Sequence, residues 1–266
     1  MKYVVGIIGL GFVGKAVYSA IEKSNEYIST SPDLIIDING DSRAKGTYDS
    51  IMKADAIFIC VPSPPKENGE CDTSILQQVL DNLKNYTGLI ISKTTAPPSF
   101  YREAQKQFNN LVYSPEFLTA KNAEEDYWQA RFIVIGGKNS AFMSFAKSVI
   151  GQTQPYAYEF HLCNIEVAAM MKYTINSFLA TKVVFMNEIK QLCDDNQIEY
   201  ERVIDLVGSD RRMGYSHFAV PGHDGQFGFG GACFPKDTEA LLKFAEKSST
   251  KMDVLQSAVE KNKIIR

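Results

Sequence analysis

The sequence predicts a doubly wound parallel α/β sheet, followed by a long connecting helix and a mostly α-helical second domain. Three observations carry that prediction. Apolar runs of strand length alternate with helical patterns through the first half. A G-x-G-x-x-G turn directly follows the first run. From Asn164 to about Asp195, helical periodicity then continues without Gly or Pro. The runs read as strands at Tyr3–Ile8, Leu34–Asp37, Ala56–Val61, Leu89–Ser92, Asn110–Tyr113 and Arg131–Gly136. Between them, helices are expected near Gly14–Glu22, Thr47–Lys53, Ser74–Asn85, Tyr101–Gln107 and Ser140–Ile150. After the long helix come a second helix near Tyr200–Gly208, a Gly-rich loop through Gly231, and helices from Pro235 onward. The change of rhythm near Pro155 sets a boundary between a first domain at 1–160 and a second at 161–266.

The chain has 266 residues, 45% of them hydrophobic and 22% charged, which excludes disordered, collagen-like and disulfide-scaffold classes. A net charge of −3 argues against a nucleic-acid-binding face as its main business. Five cysteines, at 60, 71, 163, 193 and 233, contain no C-x-x-C pair, and His161, His217 and His223 are scattered. No metal site is expected, and a reducing, cytoplasmic compartment fits. The apolar start resembles a signal peptide, but its glycines and the lack of a small-x-small cleavage site argue against one. No apolar stretch approaches the roughly 20 residues that span a bilayer.

Gly9-Leu10-Gly11-Phe12-Val13-Gly14 closes the first strand and opens a helix. Its glycines allow a tight turn, close approach of backbone to a pyrophosphate, and close helix–strand packing; the helix N-terminus presents N–H groups. Asp37 ends the next strand, where a carboxylate accepts from a ribose hydroxyl and repels a ribose phosphate, so NAD is the expected cofactor over NADP. A glycine turn needed only for packing is the alternative. In such sheets ligands bind beyond the carboxyl ends of the strands, which places Pro62-Ser63-Pro64, Lys93-Thr94-Thr95 and Ser114-Pro115-Glu116 on the cofactor's side. Loop termination by Pro62 and helix capping by Thr95 and Glu116 remain open as simpler readings.

On the long helix, Lys172 and Asn176 are four apart and share a face, where a partly buried lysine beside an amide donates to a developing oxyanion. A snorkelling lysine is the alternative. The densest segment is Gly228-Phe229-Gly230-Gly231-Ala232-Cys233-Phe234-Pro235-Lys236-Asp237. Pro235 suits the first turn of a helix, so Cys233 sits at or just before a helix N-terminus, a position that favours the nucleophilic thiolate of a cysteine. Asp237 reaches the same space as a general base or water-orienting group. Cys60, in a strand, and Cys193, in a helix, read as structural.

The stretches GIIGLGFVG, IFICVPSPP, SKTTAPP, SPEFL, FIVIGG, MKYTINSFLATKVVFMNEI and GFGGACFPKDTEALL, spread from Val5 to Leu242, resemble the UDP-glucose/GDP-mannose dehydrogenase family. The resemblance implies an N-terminal Rossmann-type NAD domain and a helical catalytic and dimerisation domain. The implied reaction oxidises the C6 alcohol of a nucleotide sugar, UDP-glucose foremost, to a carboxylate in two hydride transfers. It further implies Cys233 as nucleophile, Lys172 and Asn176 at the oxyanion, and Asp237, Thr95 and Glu116 around the hydrolytic water. Gly9, Gly11, Phe12, Val13, Gly14, Asp37, Val61, Pro62 and Thr95 fall to the cofactor. Glu116, Phe117, Leu118, Lys172, Asn176, Arg212, Phe229 and Gly230 fall to the substrate, Arg212 reaching it across a dimer interface. The expected partners are the nucleotide sugar and a second copy docked through the long helix, with neither nucleic acid nor membrane. There are departures. Family members carry a glutamate four residues after Glu116, where this chain has Ala120, and the segment from Asp37 to Asp55 is short. Family members also have a third, nucleotide-sugar-binding domain, for which a separate chain is one source. Two rival readings are an NAD-binding partner module without activity and a smaller hydroxyacid dehydrogenase, the latter having no use for a nucleophilic cysteine.

Overall fold

A computed structural model describes residues 2–119 and 121–266. It divides into two compact units: residues 1–64 with 72–172, and residues 65–71 with 173–266. The division falls inside the long helix rather than near residue 160. The helix's first turns bury Ile165, Ala168 and Ala169 in a core of the first unit, so packing rather than element boundaries sets the limit.

In the first unit the strands are β1 (Tyr3–Ile8), β2 (Ile28–Ser29), β3 (Ile35–Ile36), β4 (Ala56–Ile59), β5 (Leu89–Ser92), β6 (Leu111–Tyr113), β7 (Phe132–Gly136) and β8 (Glu159–Cys163). They form one sheet in the order β2-β1-β4-β5-β6-β7-β8, with β3 also paired to β1. All pairings are parallel except that of β6 with β7, made through the antiparallel pair Tyr113 and Gly136. The sheet is thus the doubly wound, largely parallel one the sequence predicts, with a single antiparallel pair. An apolar run of period two marks a strand but carries no direction, which is why the exception is invisible in the residues. The sequence also predicts neither β2 nor β8: one is two residues long, and the other is a largely exposed strand (EFHLC) with a weak apolar signal.

The helices of this unit are α1 (Phe12–Lys23), α2 (Tyr48–Ile51), α3 (Ser74–Asn82), α4 (Pro98–Gln107), α5 (Ala123–Trp128) and α6 (Ser140–Thr153), and α7 (Ile165–Asp195) begins in it. α5, six residues opening on three acids, is too short for periodicity to reveal. The two faces of the sheet bury separate clusters: Val5, Ile7, Phe58 and Ile91 with α1 and α6 on one side, Ile8, Ile57, Ile59 and Ile90 with α3 and α4 on the other. That double burial is what the continuous Val/Ile runs encode.

The second unit holds the rest of α7, α8 (Tyr200–Ser209), α9 (Phe234–Lys247) and α10 (Asp253–Ile265). Tyr173, Ala180 and Val184 of α7 meet Ala240 and Leu241 of α9 and Leu255, Ala258 and Val259 of α10 in one cluster. Met186 and Cys193 meet Tyr200, Phe218 and Val220 in another.

Candidate active site

In the first unit the nucleotide-binding turn is built by exclusion. Gly9 has φ +93°, and a Cβ there would lie 2.8 Å from the Cys60 carbonyl oxygen. A Cβ on Gly14 would lie 1.9 Å from the Gly9 carbonyl oxygen. Around Gly11, by contrast, an added Cβ meets nothing within 4 Å, so open space faces the turn. Gly11 is the N-cap of α1, which has neither a side-chain cap nor an acid in its first turn. This combination, a glycine cradle with room before it at an uncapped helix N-terminus, fits a dinucleotide's pyrophosphate.

Asp37 lies just past β3, half-buried. Its Oδ1 accepts the Leu10 N–H at 2.9 Å and its Oδ2 accepts the Asn39 N–H at 3.1 Å. The carboxylate thus braces the glycine turn as well as standing where the ribose is expected. Phe12 and Pro62 are exposed, Val13 and Val61 half-buried. The Val61 carbonyl accepts the Thr94 hydroxyl at 2.8 Å, and the Thr95 carbonyl accepts the Ser63 hydroxyl at 2.6 Å, tying the ends of β4 and β5 together.

Glu116, just past β6, is buried and ion-paired to the buried Lys93. Lys93 Nζ also donates to Ser114 Oγ at 3.1 Å. Burial pushes the Glu116 carboxyl above the usual carboxylate range, against the pull of Lys93 and of Lys172. Lys172 is buried rather than solvated; its ammonium donates to the Glu116 carbonyl and lies 4.6 Å from the Phe117 ring centroid. Leu118 packs half-buried against the core beside α1. Lys93 has a position but no role in the sequence reading; a lysine directly after the mostly apolar strand Leu89–Ser92 is the signal that it is buried. Position 120 lies outside the described residues. Cys60 is buried, and desolvation pushes its thiol up to about 12, which leaves it protonated and inert near neutrality.

In the second unit Cys233 is the N-cap of α9 and is exposed, with Pro235 in the first turn. Asp237, 1% exposed, accepts from Asn176 Nδ2 at 2.6 Å and from Lys236 Nζ at 2.5 Å, and its backbone N–H donates to the Cys233 carbonyl at 2.9 Å. One turn of helix thus carries a thiol and a carboxylate, with a buried amide fixed against that carboxylate. Phe229 is buried and Gly230 half-buried. Arg212 points to solvent, its side chain 89% exposed, and is forked onto Asp210 at 2.6 Å. Asn187 and Asn262, which carry the backbone of the loop before Cys233, escape sequence reasoning; isolated polar residues on otherwise apolar helix faces are their only trace. Among the described residues, no group of three or more His, Cys, Asp or Glu stands together as a metal site, and no helix is long and apolar enough to cross a membrane.

A parallel-rich sheet carrying this glycine turn defines a dinucleotide-binding fold of the Rossmann type. Residues 34–153 match the NAD binding domain of the UDP-glucose/GDP-mannose dehydrogenase family and residues 166–264 match its central domain. The chain belongs to this family, and its first unit is an NAD-binding domain. Among curated relatives, the UDP-glucose 6-dehydrogenase of Rickettsia prowazekii (strain Madrid E) is 33% identical over 220 residues, covering 79% of this chain and 49% of that protein. The UDP-glucose 6-dehydrogenase TuaD of Bacillus subtilis (strain 168) is 32% identical over 239 residues, covering 84% and 50%. The chain spans about half the length of these relatives. A solved UDP-glucose dehydrogenase from the archaeon Pyrobaculum islandicum shares the fold at TM-score 0.80 and 24% identity, over 99% of this chain and 68% of that one.

Proposed function

We propose that this chain oxidises the C6 alcohol of a nucleotide sugar, UDP-glucose foremost, to the carboxylate through a covalent intermediate on Cys233. The observation that carries the reading is an exposed cysteine capping a helix behind a glycine loop, one turn from a buried aspartate, in a chain of this family. Gly9, Gly11, Gly14 and Asp37 would hold NAD, with Phe12, Val13, Val61, Pro62 and Thr95 around it; when bound, NAD takes up the hydrides the oxidation releases. Loss of the hydroxyl proton and of a first hydride from C6 turns the alcohol into an aldehyde; the Cys233 sulfur adds to its carbonyl carbon, and Lys172 and Asn176 donate hydrogen bonds to the oxygen that becomes negative. Loss of a second hydride leaves a thioester. Water then adds to that carbonyl, its proton passing to a carboxylate among Asp237 and Glu116 with Thr95 orienting it, and the thiolate leaves. Phe117, Leu118, Arg212, Phe229 and Gly230 are assigned to the sugar nucleotide. The test is NADH formation with UDP-glucose, UDP-N-acetylmannosamine and GDP-mannose. UDP-glucose is expected to react fastest, and Cys233→Ser to lower turnover by about 1,000-fold or more. Unchanged turnover in that variant removes Cys233 from the chemistry. NAD binding without NADH formation from any of the three favours the other reading, a cofactor-binding partner module.

The second copy is assigned to α7. Phe178, Phe185 and Leu192, seven residues apart and therefore on one helix face, are 69%, 53% and 58% exposed. Sedimentation should show a dimer that Phe185→Asp converts to monomer; a wild-type monomer refutes the assignment.

A further inference from the structure

The loop that leads to Cys233 is held by two side-chain amides from elements remote in sequence. Asn262 of α10, 8% exposed, accepts the Phe229 N–H at 2.7 Å through Oδ1 and donates to the Phe229 carbonyl at 3.0 Å through Nδ2. It therefore satisfies both backbone groups of one residue, as a neighbouring strand would. Asn187 of α7, also 8% exposed, accepts the preceding N–H, that of Gly228, at 3.0 Å, and its own Nδ2 is fixed on the Val183 carbonyl at 2.8 Å. Gly228 has φ +68°, and a Cβ there would lie 2.3 Å from Asn262 Oδ1, so the amide has closed onto space only glycine leaves. Arg266, which caps the C-terminus of α10, pairs with Asp224 at 2.5 Å, earlier in the same loop. Phe229 stands four residues before Cys233, and its ring meets that of Phe234, the first residue of α9, at 6.3 Å.

We infer that Asn262, supported by Asn187, is a positioning residue for the nucleophile: it fixes the Gly228–Phe229 backbone so that Cys233 is presented at the start of α9 in one geometry. The inference rests on the reading of Cys233 as nucleophile. The side chain must be a short amide. Only an amide sets an acceptor and a donor side by side; an aspartate keeps the acceptor alone, and a glutamine is a methylene too long.

The experiment compares wild type, Asn262→Leu and Asn262→Asp in three measurements on the whole chain: backbone hydrogen exchange, alkylation of Cys233 by iodoacetamide, and kcat for NADH formation. Exchange at Phe229 should quicken by about 10-fold or more in Asn262→Leu and by less in Asn262→Asp, which keeps the acceptor for that N–H, while exchange in the strand Leu89–Ser92 stays as in wild type. The kcat should fall about 10-fold with NAD affinity unchanged, and the Cys233 alkylation rate should differ from wild type by more than about threefold. A purely stabilising role would lower Tm and leave kcat and alkylation alone, and that result overturns the inference, as does unchanged exchange at Phe229 in Asn262→Leu. If wild type forms no NADH, the functional reading fails by itself, and exchange with alkylation still decides whether Asn262 positions the thiol. Buried Cys60 reports global unfolding. Should it become reactive in Asn262→Leu, Asn262→Asp decides the matter through kcat and alkylation, because it keeps the shape and one of the two bonds.

Discussion

The molecule contains two glycine-rich turns that hold their shape in opposite ways. The turn Gly9–Gly14 is held mainly by backbone packed on backbone, with Asp37 bracing the Leu10 N–H: Gly9 and Gly14 sit where a Cβ would strike the carbonyls of Cys60 and Gly9. The loop Gly228–Gly231 is held by side chains, the amides of Asn187 and Asn262 and the Arg266–Asp224 pair. The first turn is rigid because its own neighbours leave no room. The second has the geometry its partners impose, so a substitution far along the chain can alter it. A site for a cofactor's invariant pyrophosphate suits the first design, and a segment carrying an exposed thiol suits the second.

The largest expected effect tests the first half of that comparison. Gly14→Ala drives a methyl into backbone that cannot yield, and should destabilise the first unit by about 3 kcal/mol, read as a fall in unfolding temperature. Gly11→Ala meets open space instead. It should leave stability within about 1 kcal/mol of wild type, while NAD affinity, measured by calorimetry, drops about tenfold, or 1.4 kcal/mol. If both variants behave alike, the cradle is not built by exclusion.

The smallest effect concerns pH and the buried pair Lys93–Glu116 just past the ends of β5 and β6. Glu116 has its carboxyl raised by burial in the folded state, so the folded chain holds that proton more tightly than the unfolded one. Its contribution to stability is present in full below the unfolded value, near 4.3, and is lost as pH rises through the folded value. Unfolding temperatures followed upward from about pH 4 should therefore show wild type losing ground relative to Glu116→Gln. Parallel curves for the two proteins would mean that Lys93 offsets burial completely.

How much of this is legible in the residues varies with how local the cause is. The strand Tyr3–Ile8, the turn after it and the start of α1 are legible because strand, glycines and helix N-terminus are contiguous. The cap position of Cys233 is legible from Pro235. The buried state of Lys172 is not, since four-residue spacing names a face but not what covers it. Lys93 paired with Glu116 joins positions on two strands that only sheet order makes neighbours. α5 and β8 are too short or too polar to leave a periodic trace.

By itself the sequence determined the α/β class, the nucleotide-binding turn, the unbroken α7 and the family, because each rests on spacing within a few residues or on a contiguous motif. Tertiary structure alone decided the antiparallel pairing of β7, the point in α7 where one unit ends, the burial of Lys93 with Glu116, and the amides that grip the loop before Cys233. Those depend on which surfaces meet, and contact between residues tens of positions apart is a property of the folded chain, not of any segment of it.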